Sequence, residues 1–75
     1  MPYIKPERRN DYPDNGRELC FKLYHQCMTY YKLYGVKGAT IGDIIMALEW
    51  AKMEFYRRHA GPFEDAKILE NGDIN

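Results

Sequence analysis

Ile41-Gly42-Asp43-Ile44-Ile45-Met46-Ala47-Leu48-Glu49-Trp50-Ala51-Lys52-Met53-Glu54-Phe55 is the stretch that decides the fold. Ile41, Ile44, Ile45, Leu48, Ala51, Lys52 and Phe55 recur with the period of a helix. Successive helical positions lie about 100° apart, so Met46, Trp50 and Met53 fall on a neighbouring face. A helix that is apolar around most of its girth is normally covered on more than one side. The chain has 75 residues, and a domain of that size buries only about 60–65% of the surface its unfolded chain exposes. Too little other chain exists to cover this helix. The expectation is a homo-oligomer with this helix at its centre.

Working outward, Thr40 is placed to cap the helix, with Asp43 favouring its positive end. The pattern predicts a helix over residues 41–60, stopped by Gly61-Pro62. Pro62 suits the first position of a short third helix over 62–70, with Glu64 and Asp65 in its first turn. A rival reading makes Lys67 to Ile74 a β-hairpin around Asn71-Gly72, although its strands would be very short. On the other side, Asn15-Gly16-Arg17-Glu18 matches a capping box and opens a first helix over 15–34. Cys20, Leu23, Tyr24, Cys27, Tyr31 and Tyr34 form its stripe, and Leu19, Met28 and Tyr30 widen it. Gly35 is a good residue to follow the helix, with Val36 placed for the hydrophobic contact of a Schellman ending. Residues 1–13 carry Pro2, Pro6 and Pro13 and are expected to run extended, anchored by Tyr3, Ile4 and Tyr12. The fold class is all-α. Two long helices form a hairpin, a short C-terminal helix or turn follows, and an extended N-terminal arm precedes them, in one domain spanning 1–75.

Composition excludes several function classes. Eleven basic and eleven acidic residues leave no net charge, against generic nucleic-acid binding, which needs a basic excess. No run of about 18 apolar residues exists to span a membrane. The opening residues have no apolar core of a signal peptide. Cys20 and Cys27 lie seven apart on one helix, a rise of about 10 Å. A disulfide needs Cα atoms within about 7 Å, so both are expected to be reduced, buried thiols. No Cys-x-x-Cys or His-x₃-His spacing occurs, and no metal or cofactor is expected.

The residues able to carry chemistry cluster at Glu54-Phe55-Tyr56-Arg57-Arg58-His59. Glu54 and Arg58 form an i,i+4 pair, and cations suit a helix C-terminus. Arg57 and Arg58 also suit forked recognition of a phosphate or carboxylate. Tyr56, Lys5, Arg8 and Arg9 join them as a candidate ligand-binding surface if the arm folds back. Seven tyrosines form a second feature. Tyr30, Tyr31 and Tyr34 cannot all face one core, and with Trp50, Met46 and Met53 they are candidate interface residues. Catalytic readings are weak. His25 and Cys27 are two apart and do not face each other on a helix. Glu64 with Asp65, and Glu70 with Asp73, suit a helix start and a turn. An N-terminal Pro2 could act as a base of the tautomerase kind, but Pro6 interrupts the strand that this chemistry needs.

Met1-Pro2-Tyr3-Ile4-Lys5-Pro6-Glu7-Arg8-Arg9 resembles the opening of a family of small uncharacterised proteins from bacteriophages and prophages. The longer match is Leu48-Glu49-Trp50-Ala51-Lys52-Met53-Glu54-Phe55-Tyr56-Arg57-Arg58, continuing through Pro62-Phe63-Glu64-Asp65, Lys67-Ile68 and Glu70-Asn71-Gly72-Asp73. Together these strings cover about half the chain. Residues 11–47 carry no match, and family members tend to be longer there. The family has no settled activity, so no catalytic residue carries over. The resemblance implies a phage context and the cytoplasm of an infected bacterium. Small phage proteins of that kind often act by binding. Some block a host protein, and others sequester a signalling nucleotide used in defence. The reading is a non-catalytic phage binding protein that sequesters a phosphate-bearing nucleotide. Its alternative is a protein–protein interaction module that binds a host or phage protein through the tyrosine face.

Overall fold

A computed structural model describes residues 3–74. All regular structure among them is helical. A 3₁₀ turn, Pro6–Arg8, is followed by α1, Gly16–Tyr34, and α2, Gly38–Phe55. A π-turn, Tyr56–Ala60, then leads into α3, Gly61–Asn71. The chain divides into two compact units, Met1–Ile44 and Ile45–Asn75. No helix among the described residues is long and apolar enough to cross a membrane. Pro2, the residue considered as an N-terminal base, lies outside the described residues.

In the first unit, α1 starts on a side-chain cap. The Asn15 Oδ1 accepts from the Glu18 backbone N–H at 2.9 Å, satisfying one of the donors that a helix start leaves unpaired. The Glu18 carboxylate reaches back one residue further than a capping box does, accepting from the Asp14 N–H at 3.0 Å. Asn15→Ala is expected to cost about 1 kcal/mol of stability, measured by urea unfolding at fixed protein concentration. The arm is not wholly extended, because the ring of Pro6 presets the first position of the 3₁₀ turn. That turn closes with Arg8 N–H to Lys5 O at 2.9 Å.

Gly35 ends α1 at φ 115°, a conformation open to glycine at no steric cost. The ending is not a Schellman motif. Lys37 N–H turns back to the Gly35 carbonyl at 3.1 Å, and Val36 is left 75% exposed. Helix α2 then starts at Gly38, ahead of the expected cap, with Ile41 N–H bonded to the Lys37 carbonyl. Thr40 is therefore inside the helix, where it is buried, and not its cap. Near this junction the Tyr30 hydroxyl donates to Asp43 at 3.3 Å, and the Tyr30 and Tyr34 rings pack 4.6 Å apart.

In the second unit, Gly61-Pro62 does not stop the helix. Both Ala60 and Gly61 keep right-handed helical angles. Pro62 has no N–H for the Arg58 carbonyl, and its ring would strike that carbonyl in a regular α-helix. The π-turn relieves this conflict. Gly61 N–H bonds five residues back to Tyr56 O, which widens the turn that the proline must follow. Glycine at 61 helps, because proline crowds the Cβ of the residue before it. The rival hairpin is also overturned: α3 runs through Asn71, and Gly72 at φ 85° ends it with its N–H on Ile68 O.

Apolar packing is absent to an unusual degree. No apolar side chain among the described residues is buried, and Glu18 and Thr40 are the only buried residues among them. Along α2, Ile45 is 63% exposed and Trp50 66% exposed. Ile41, Met46, Leu48, Met53 and Phe55 are exposed as well. Cys20 and Cys27 are free thiols, half-buried and not buried as the stripe suggested.

Candidate functional site

The candidate residues belong to two separate constellations, one in each unit. In the second unit the π-turn itself carries Tyr56, Arg57, Arg58 and His59. Such turns occur often at functional sites, because the extra residue re-aims the side chains beyond it. Arg57 and Arg58 both donate to the same Oε1 of Glu54. The hydrogen bonds from Arg58 and then Arg57 hold the Glu54 carboxyl below its usual range. Two guanidiniums share one carboxylate, which leaves one positive charge over and most of their N–H donors facing solvent. Arg57 and Arg58 are both well exposed, so these pairs contribute little to stability. The Tyr56 hydroxyl donates to Glu64 at 2.9 Å. This hydrogen bond to a carboxylate is the main cause that raises the Tyr56 hydroxyl above its usual range. The Phe55 and His59 rings pack 4.7 Å apart.

In the first unit Arg8 and Arg9, adjacent in sequence, have opposite surroundings. Arg8 is enclosed by acids. It makes a forked contact to Glu18, through Nε at 3.1 Å and Nη2 at 2.8 Å. It also meets Asp11 at 2.9 Å and Asp14 at 2.7 Å. The Arg8 hydrogen bonds are the largest influence holding the Glu18 carboxyl down to about 2, followed by the Asp14 N–H. Although Arg8 was expected on a ligand-binding surface, its donors here face protein acceptors. Arg9 has no such partners. Its Nε and Nη2 donate to the Ile4 carbonyl at 3.3 and 3.2 Å, and its guanidinium lies 5.6 Å from the centre of the Phe21 ring. Lys22 Nζ donates to the Arg9 carbonyl. Lys5 precedes the 3₁₀ turn and is exposed.

Among the candidate interface residues, Tyr30 is tied to Asp43 and sits against Tyr34, while Tyr31 is half-buried. Burial against low-dielectric surroundings, then the Asp43 charge, raises the Tyr30 hydroxyl. Met46, Trp50 and Met53 lie exposed along α2. No group of three or more metal-ligating side chains is assembled among the described residues. Sequence reasoning missed the Arg8–Glu18 cluster and the Arg9–Phe21 contact. The spacing of Arg8 to Asp11, one helical turn, was the available signal for the first.

The chain belongs to the family described as Domain of unknown function (DUF6899), which matches residues 1–74. No curated protein and no solved structure matches it.

Proposed function

We propose that this is a non-catalytic binding protein that completes its apolar interior with copies of itself, packed around α2. The exposure of Ile41, Ile45, Met46, Leu48, Trp50, Met53 and Phe55 along α2 supports this reading, because a lone chain would leave that surface in water. Arg57 and Arg58 form its anion-binding surface, with Tyr56 beside them on the same turn. Arg8 is left out, since three carboxylates already surround it. The ligand is a phosphate-bearing signalling nucleotide, and the setting is a phage protein countering defence in the cytoplasm of its bacterial host. The phage setting rests on the resemblance of the two ends of the chain. The surplus guanidinium charge over Glu54 supports the ligand class.

Calorimetry with cyclic dinucleotides and ADP-ribose derivatives tests the ligand. The unmutated protein is expected to bind one of them. Arg57→Ala and Arg58→Ala are each expected to weaken that binding by about tenfold or more with helicity unchanged. No heat from any of these nucleotides would remove the reading.

A second reading has its own support. At the end of α1, Leu33 is 72% and Tyr34 58% exposed, beside the exposed Val36. This patch suits docking onto a host or phage protein. A stoichiometric protein partner captured through it, and lost on Tyr34→Asp, would favour that alternative.

A further inference from the structure

Two clefts in the first unit share Arg9 and Phe21 as walls. One, of about 340 Å³, is completed by Tyr3, Ile4 and Tyr24. The other, of about 310 Å³, is completed by Asn10, Lys22 and His25. The division of chemistry between them is clear. The first offers three aromatic side chains and one aliphatic one. The second offers a guanidinium, an ammonium, an amide and an imidazole. Neither is lined by a carboxylate.

Arg9 is held in place from two directions. The Ile4 carbonyl takes its Nε and Nη2, and the Phe21 ring lies under its guanidinium. The Nη1 protons have no protein acceptor among the described residues. Among those residues, too, no ion pair joins Arg9, Lys22 or His25 to an acid, whereas the neighbouring Arg8 has three acidic partners. His25 lies stacked 6.0 Å from Phe21, so the phenylalanine connects the aromatic cleft to the cationic one. Fixed, unneutralised donors beside an aromatic wall match a ligand that has a planar ring and an anionic group.

We propose that the two clefts form one site for a small aromatic anion of the nucleoside monophosphate class. The base lies in the cleft of Tyr3, Ile4, Phe21 and Tyr24. The phosphate meets Arg9 Nη1, Lys22 and the Asn10 side chain. This site is separate from Arg57 and Arg58 and stands whether or not those residues bind a nucleotide.

The test is an NMR titration of the full chain with AMP, with adenosine and with inorganic phosphate as partial ligands. AMP is expected to shift the ring resonances of Phe21, Tyr24 and His25 saturably. Adenosine and phosphate alone are each expected to bind about tenfold more weakly or worse, since each lacks half of the recognised chemistry. Arg9→Gln is expected to weaken AMP by about tenfold or more. Lys22→Gln gives a second reading should Arg9→Gln disturb the arm. The doubly substituted Arg57→Gln, Arg58→Gln protein is expected to keep the Phe21 shifts, which separates failure of this site from failure of the other. The proposal is overturned by no saturable shift with AMP, by phosphate binding as well as AMP, or by AMP affinity that neither Arg9→Gln nor Lys22→Gln reduces.

Discussion

Ile45→Asp is expected to abolish self-association and leave a largely unfolded chain at micromolar concentration. Ile45 is 63% exposed on the isolated chain, in the stripe with Ile41, Leu48 and Phe55. Covering one such side chain is worth roughly 1.5–3 kcal/mol, and a carboxylate in its place also has to be stripped of water. A loss of about 3 kcal/mol weakens association roughly a hundredfold for each copy that carries the change. Gln26→Glu is the matching control, because Gln26 is exposed on α1 and lies off its apolar stripe. It is expected to leave both association and helicity nearly unchanged. Circular dichroism and sedimentation velocity on the two variants read the difference. Equal behaviour would mean that the apolar stripe is not the contact surface.

Acid is expected to release the arm from α1. The Arg8 hydrogen bonds, reinforced by the Asp14 N–H, hold the Glu18 carboxyl down to about 2, from an ordinary value of 4.5. A carboxyl depressed in the folded state stabilises that state above its unfolded pKa. The contribution is therefore complete above about pH 4.5 and is lost as pH falls from there through about 2. Protonation removes the anionic acceptor that gathers Arg8, Asp14 and the start of α1. The carboxyl carbon resonance of Glu18 follows this directly, with a midpoint near 2 expected. A midpoint near 4.5, as for a free glutamate, would contradict the cluster. Glu18→Gln is expected to reproduce the acid state at neutral pH, with faster amide exchange at Asp14.

Local chemistry made the first helix readable. Asn15 and Glu18 advertise a helix start, and the structure uses that pair, with the carboxylate shifted by one acceptor. The same logic misplaced the start of α2. Thr40 is the best capping residue nearby, yet the turn at Gly35 hands the chain over at Gly38. The glycine-proline pair at 61–62 reads as a stop, because a proline inside a regular α-helix is costly. Here a π-turn accommodates it, and no residue pattern announces that turn. The arginine cluster at 57–58 was visible as a run of charge. The contrast between Arg8 and Arg9 was not, since it depends on how the arm meets Glu18 and Phe21 across ten and twelve residues of sequence. Greasiness around α2 was plain from periodicity, but what covers it is not written in the spacing of a single chain.

Sedimentation velocity of the unmutated protein across a dilution series from high to low micromolar addresses the coverage of α2 most directly. An assembly at the high end is expected, with helicity falling as dilution dissociates it, because folding and association are then one equilibrium. A monomer that keeps its full helicity and a sharp, concentration-independent thermal transition throughout the series would contradict the account.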